Sequence, residues 1–493
     1  MGSANGRTVS LADDGPLSIG IDLGTSSLKA VAVTVDGAVV ARASHGYPTS
    51  REAPGGAEQR PADWINACDR ALDDLGRTTD PTRWGAIGLT AMLPTLVSLD
   101  DQLREVGPAI TWEDGRAEPD AERMLDHLGA DAVYRSTGQR LDGRYLLPMH
   151  LRRSRERPDA TRILGAKDHL LHILTGELAT DPSTAAGYGC FDLRTGAWND
   201  RIVATAGLPR LPDVVPSSTA FALRAEHAER WGCAPGLPVV VGAADSVMGA
   251  YGMGITGPGR IGMIAGTSTV VIGWSHEVRL DPHARYLVTP MVAEGYGLEL
   301  DLMSTGSAVA WLAGLLGLDG GPDELVALAA SVDLEVAPIV LPYFGPGEQG
   351  ALWNPALTGL VEGLTLQTSQ AGLSRGLLAG IVLEATRCVD VLREGRTGTD
   401  DVILLTGSSG ASELFRQDLA DATGLRVRSD PAEFDHSAVG AARFAGYAAL
   451  GWGAEPDAPA REERRPDPAR TTLWRERFSR HERARLALGR QAG

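Results

Sequence analysis

One device occurs twice in this chain and limits the folds open to it. "SIGIDLGTSSLKAVAV" (18–33) and "GRIGMIAGTSTVVIGW" (259–274) each run apolar strand, Gly-Thr-Ser turn, apolar strand. One stands near the start and the other just past the middle, so they read as the same hairpin used once per half. After the first, "DGAVVARASHGY" supplies a third strand behind an Asp36-Gly37 turn, so the chain opens as an antiparallel meander. At 493 residues the chain is too long for a single core. A proline-rich stretch, "LPRLPDVVP" (208–216), precedes the apolar run "GLPVVVGAADS" (236–246) and puts the main boundary near residue 240. The expected organisation is a flexible terminus over 1–16, one domain over 17–240 and a second over 241–490.

The formal net charge of −17 argues against nucleic acid as the main partner, because no global basic surface is left to meet phosphates. A nucleotide needs only a local electropositive pocket and stays open. The four cysteines are far apart with no CxxC pair, which points away from a zinc site or a disulfide framework and toward a reducing cytoplasm. Residues 1–16 are small and polar, unlike a signal peptide, and no apolar run reaches the ~18 residues of a membrane span. A soluble, cytoplasmic protein is expected. Downstream, 61–76 and 369–395 read as helices, 437–451 as a small-residue helix suited to close packing, and 474–488 as a last helix anchored by Trp474 and Phe478, or else a frayed end.

Five stretches carry chemistry. In the first hairpin Gly24 allows a tight turn, the amides and hydroxyls of Thr25 and Ser26 can face a phosphate, and Asp22 at the strand end wants a cation. Magnesium bridging phosphate oxygens suits it, and Lys29, one of only two lysines with Lys167, could add a point charge. The plain alternative is an Asp capping a turn and a lysine on a solvated face. No Walker pattern is present. Gly266 and Thr267 in the second hairpin form a matching phosphate turn or an ordinary one. Asp245, at a strand-to-helix junction in "GAADSVMGA", is placed for a general base or for an N-cap. Gly407-Ser408-Ser409-Gly410, ahead of a helix that begins near Ser412, can admit a ring or phosphate, or simply turn the chain. Glu113, Asp114 and Arg116 in "TWEDGRAEPDAERM" could bind polyol hydroxyls, or open a charged helix.

The order "IDLGTSSLKA", "GAADSVMGA", "GTSTVV", "TGSSGASELFRQDLA", with "ITWEDGRA" and the Lys167-Asp168 region, resembles the FGGY carbohydrate kinase family of the sugar kinase, heat-shock ATPase and actin superfamily, over roughly 17–490. The resemblance implies an α/β fold of two ribonuclease-H-like (actin-like ATPase) domains flanking a deep catalytic cleft, with ATP and Mg²⁺ as cofactors, a small sugar or polyol as substrate, and a homodimer at family level. It places Asp22 at the metal; Thr25, Ser26, Lys29, Gly266 and Thr267 at the phosphates; and Gly407, Ser408 and Ser412 at the nucleoside. Asp245 is implied as the base. Met92, Asp114 and Arg116 fall on the substrate side. Xylulose is the leading single acceptor, with ribulose, glycerol, erythritol, gluconate or a cyclitol as alternatives, and a non-kinase ATPase or sensor as the alternative class. The sequence departs from the xylulose kinase pattern at Ala91-Met92-Leu93 for Gln-Met-His, Ser246 for Asn, Trp112-Glu113-Asp114 for Trp-Asn-Asp, and Gly347-Glu348-Gln349 for Gly-Glu-Arg. Lost polar contacts change which acceptor a buried site selects.

Overall fold

Seven mostly apolar and small residues, broken only by Asp22, then seven more, broken by Lys29, after a three-residue turn, form β1 (Leu17–Leu23) and β2 (Ser27–Val33). They pair antiparallel, with Asp22 directly opposite Lys29, and Gly24 N donates to Ser27 O at 3.1 Å to close the turn. β3 (Val39–Gly46) extends the meander beside β2. On the other side of β1 lie β4 (Trp84–Ala91), β5 (Ala220–Ala222) and β6 (Pro238–Ala244), in the sheet order β5-β6-β4-β1-β2-β3, with β4 parallel to β1 and β6 parallel to β4. The structure, a computed structural model, describes residues 15–345, 350–354, 356–394, 401–429, 435–453 and 462–489. The Gly347-Glu348-Gln349 segment and residues 1–14 of the expected flexible terminus lie outside them.

The second half repeats the plan. β7 (Arg260–Ala265) and β8 (Thr269–Ser275) form the second hairpin, and Gly266 N donates to Ser268 O at 2.9 Å. β9 (Leu287–Pro290) and β10 (Tyr296–Leu302) continue the antiparallel side, while β11 (Val402–Thr406), β12 (Arg426–Ser429) and β13 (Glu462–Arg464) lie beyond β7. The order is β9-β10-β8-β7-β11-β12-β13, with β11 parallel to β7 and β12 parallel to β11. A three-strand meander flanked by two parallel strands thus occurs in both sheets, and the molecule has two sheet-containing α/β domains.

Alternation along β1 decides what each face meets. Leu17, Ile19, Ile21 and Leu23 enter a core with α1 (Pro61–Thr78) and α2 (Ala166–Thr175). Ser18, Gly20 and Asp22 face the other way. That face, together with α3 (Asp245–Met253), receives a helix from near the end of the chain. Before it in sequence come α4 (Gly306–Leu315), α5 (Gln370–Arg393) and α6 (Glu413–Thr423) of the second domain, and the helix itself is α7 (His436–Leu450). Ser18 Oγ donates to Ala442 O at 2.6 Å. A Cβ on Gly20 would lie 1.9 Å from Ala438 O, and one on Gly440 2.1 Å from Met248 O, so only glycine allows this backbone approach. The small-residue helix is therefore a close-packing element as expected, and its partner is the first sheet. The last helix, α8 (Pro468–Gly489), is anchored rather than frayed. Trp474 is 1% exposed in the second core, and Arg477 donates to Leu334 O at 3.0 Å and Ala337 O at 3.1 Å.

Candidate active site

Two helices begin where the sheets meet. Asp245 is the first residue of α3, straight after β6, and Ser246 N donates to its Oδ1 at 2.8 Å. Asp435 caps α7, accepting from Ala438 N at 3.1 Å, and Ser437 Oγ donates to Asp245 O at 3.0 Å. Asp22, on the β1 face that meets α7, comes within electrostatic reach of both. Its side chain is buried and its Oδ1 has no hydrogen-bond partner among the described residues. Burial, then Asp435 and Asp245, hold its carboxyl well above the usual range, against the pull of Lys29. Lys29 Nζ lies 2.6 Å from Asp435 Oδ2, with the lysine side chain 45% exposed. The lysine placed by sequence at the phosphates is thus committed to an aspartate 406 positions away, and sequence reasoning had not named Asp435 at all.

The second turn and the Gly407–Ser412 turn share a cavity of about 430 Å³, whose lining includes Gly266, Thr267, Gly306, Ser408, Ser412 and Phe415. The N-terminus of α4 closes on the turn: Gly306 N donates to Gly266 O at 3.1 Å and Ser307 N to Thr267 O at 3.0 Å. Ser412 caps α6, accepting from Phe415 N at 3.2 Å. Gly407 lies behind the wall. At φ +92° its Cβ would sit 2.4 Å from Ala265 O, so glycine is what lets this turn rest on the end of β7. Polar amides, two helix starts and an apolar side give this cavity the chemistry to hold a phosphate and a flat ring.

A second cavity, of about 300 Å³, holds Asp245. Its wall includes Thr25, Leu93, Trp112, Arg144, Glu299, Asp301 and Trp353. Trp112 Nε1 donates to Thr25 Oγ1 at 3.0 Å, and Gln59 Nε2 to Thr25 O at 2.7 Å, which fixes the first turn; Ser26 O accepts from Tyr47 N at 3.2 Å. Burial pushes the Asp245 carboxyl up to about 7 and Asp301 to about 6, and drives Glu299 well above the usual carboxylate range with Asp301 and Asp245 adding to it. Ser246 Oγ donates to Glu299 Oε2 at 3.2 Å.

Met92, Asp114 and Arg116, expected on the substrate side, are not among the lining residues of this cavity. Met92 is packed in the first core, and its neighbours Leu93 and Pro94 reach the wall instead. Asp114 accepts from Ala57 N at 2.9 Å and from Arg116 Nε at 3.0 Å, while Arg116 Nη2 donates to Glu58 at 2.6 Å. The pair braces the loop that carries Trp112. Glu299, Asp301 and Arg144 were missed. In "YGLELDL" the apolar Leu298, Leu300 and Leu302 alternate with the two acids, a pattern that reads as a core face and a solvent face. The acidic face is the one that lines the cavity.

Comparisons with known proteins identify the family. Residues 17–252 match the N-terminal domain, and residues 262–449 the C-terminal domain, of the FGGY family of carbohydrate kinases. A xylulose kinase from Klebsiella pneumoniae is 31% identical over 480 residues, covering 94% of this chain and 98% of its own length. A gluconokinase from Bacillus subtilis (strain 168) is 26% identical, covering 87% of each. The crystal structure of xylulose kinase from Rhodospirillum rubrum superposes with a TM-score of 0.87 at 30% identity, over 97% of this chain and 99% of that one. The chain belongs to the FGGY family of carbohydrate kinases. It is a phosphotransferase. No helix among the described residues is long and apolar enough to cross a membrane.

Proposed function

We propose that the enzyme moves the γ-phosphoryl group of ATP to a hydroxyl of a small sugar or polyol held in the cavity at Asp245. The observation that carries this reading is a carboxylate with its pKa raised to about 7 by burial, facing a cavity of about 300 Å³ beside a second, phosphate-suited one. A general base works best when its pKa lies near the working pH. Asp245 would take the acceptor's proton as the hydroxyl attacks, and Ser246 N would hold the carboxylate in place. Gly266, Thr267, Ser408 and Ser412 would hold the nucleotide, with Gly407 shaping the turn. Thr25 and Ser26 would border the transferring group, and Lys29 would act on it only while paired to Asp435.

A divalent ion fits at Asp22. Its buried Oδ1 lacks a partner among the described residues, and the acidic surroundings that raise its carboxyl would be relieved by a cation. Among the described residues no group of three or more His, Cys, Asp or Glu could hold a metal alone. Asp22 would hold such an ion, and the ion would neutralise phosphate charge.

Xylulose is the first acceptor to test, since the relative at 31% identity carries that name; the gluconokinase relative makes gluconate the second. ATP consumption is measured against a panel of ketoses, polyols, sugar acids and cyclitols, with Asp245→Asn alongside. The variant should lose acceptor-dependent turnover by about 100-fold or more while keeping nucleotide affinity. An unaffected rate removes Asp245 as the base, and a wild-type enzyme that no acceptor stimulates removes the transfer reaction.

A further inference from the structure

The charge of the Asp245 cavity restricts what can enter it. Three carboxyl side chains, Asp245, Glu299 and Asp301, line it, and Arg144 is the one cationic side chain among its described lining residues. That guanidinium is already engaged: Arg144 Nε donates to Asp142 Oδ1 at 3.1 Å and to Oδ2 at 3.0 Å, and Arg144 N donates to Asp142 Oδ1 at 2.9 Å. Asp142 and Arg144 cancel each other, so the wall as a whole is acidic. The rest of it is mainly carbon and aromatic surface, notably Leu93, Trp112 and Trp353, with the neutral hydroxyl residues Thr25, Ser246 and Ser268 among it.

We infer that this cavity selects an uncharged polyhydroxy acceptor and rejects sugar acids, and that Glu299 and Asp301 are the residues that make the selection. The inference rests on the reading of this cavity as the acceptor site. Glu299 and Asp301 are two residues apart on β10, so their side chains leave the same face of the strand, ~7 Å apart. Carboxyl oxygens accept hydrogen bonds from hydroxyls, and a short polyol offers several in a row. Glu299 is tied through Ser246 Oγ to the residue after Asp245, so hydroxyls bound by the pair are set in register with the base. Above about pH 7, where Asp245 and Asp301 are ionised, an acceptor carboxylate would instead face like charge, with Arg144 already engaged by Asp142, which disfavours binding strongly. Leu93, in the place of a polar contact, leaves more of the recognition of hydroxyls to the two acids. Of the two named relatives, the xylulose kinase rather than the gluconokinase is then the guide to the acceptor.

The test compares a five-carbon ketose or pentitol with the aldonate of the same chain length. Both are measured by turnover with ATP and, separately, by calorimetric binding in the presence of a non-hydrolysable ATP analogue. The wild-type enzyme should favour the uncharged compound by about 100-fold or more, the scale on which polar sites discriminate. The double variant Glu299→Gln/Asp301→Asn should narrow that ratio at least tenfold while leaving the KM for ATP unchanged, a change that a merely structural role would not produce. Equal or tighter binding of the aldonate by wild type overturns the inference, as does an unchanged ratio in the double variant. Binding preference without turnover would sink the transfer reaction and leave the charge selection standing, whereas binding of neither compound would overturn both.

Discussion

Lys167→Met removes one of the chain's two lysines while keeping the length and the apolar stem of the side chain. Lys167, on α2, is 1% exposed, with Nζ 3.2 Å from Asp168 Oδ1 and 3.1 Å from Asp181 Oδ1. Burial alone would lower its pKa, but the two carboxylates outweigh that and raise it, so the lysine stays charged. Asp181 also accepts from Ser183 N at 2.9 Å and Ser217 Oγ at 3.3 Å, and Ser183 Oγ accepts from Ala244 N at 3.0 Å. The network ends one residue before Asp245. Breaking a buried ion pair from one side costs about 3–5 kcal/mol, because the orphaned charge stays buried. The methionine returns about 1 kcal/mol through its extra apolar contact. The net loss should be about 2–4 kcal/mol, read as a lower midpoint at unchanged slope in the first urea transition by tryptophan fluorescence. Lys167→Met/Asp181→Asn removes one of the two orphaned charges, leaving Asp168 with its bonds from Tyr188 Oη and Gly165 N, so it should be less destabilised than the sum of the single variants by about 1–3 kcal/mol. A single variant within about 1 kcal/mol of wild type, or strict additivity in the double, would refute the argument.

Gly440→Ala should lower the thermal midpoint: helix propensity gains about 1 kcal/mol, but a Cβ 2.1 Å from Met248 O forces α7 and α3 apart, and overpacking costs about 1–3 kcal/mol or more. For the acceptor, kcat/KM should rise with pH through about 7 with a single-proton limb, since burial raises Asp245 and only its ionised form accepts a proton; a profile flat down to pH ~5 contradicts the assignment. Thr25→Val should raise the acceptor KM and Thr267→Val the ATP KM, because the two residues line different cavities; equal effects on both constants in both variants would contradict that division.

What could be read from the chain was local. The two hairpins, the long buried helix and the strand-to-helix junction at Asp245 follow from periodicity, turn glycines and apolar runs within a dozen or so residues. Asp22 was suspect for the same reason, as a carboxylate in an otherwise apolar strand. The rest depends on contacts between distant segments. Nothing near Lys29 announces Asp435, and nothing near Ser437–Gly451 says that a helix from the far end of the chain will lie on β1. Glu299 and Asp301 carry a clear pattern, but alternation says only that two faces differ, and the partner that covers the acidic face belongs to another part of the sequence. At Asp114 and Arg116, charges two residues apart left both a ligand role and a plain structural one open, and the structure shows the turn letting them bond each other.

The two Gly-Thr-Ser turns look interchangeable in sequence, and their neighbours make them different. The first is held by Trp112, Gln59 and Tyr47, all from the first half, and its Thr25 borders the cavity of Asp245. The second is held by the N-terminus of α4, and it borders both cavities: Gly266 and Thr267 line the larger one, and Ser268 lines the one with Asp245. A single turn is thus the partition between them. In the proposed reaction the transferring group must cross at that turn, with Asp245 on the far side to take the proton; Asp22 lines neither cavity but lies within electrostatic reach of Asp245, and its Oδ1 has no partner among the described residues. This explains why the acidic residues cluster there despite their mutual repulsion. Lys29 pairs directly with Asp435 and only partly offsets the burial and like charge at Asp22, so the charge there is balanced best when a cation arrives with the nucleotide.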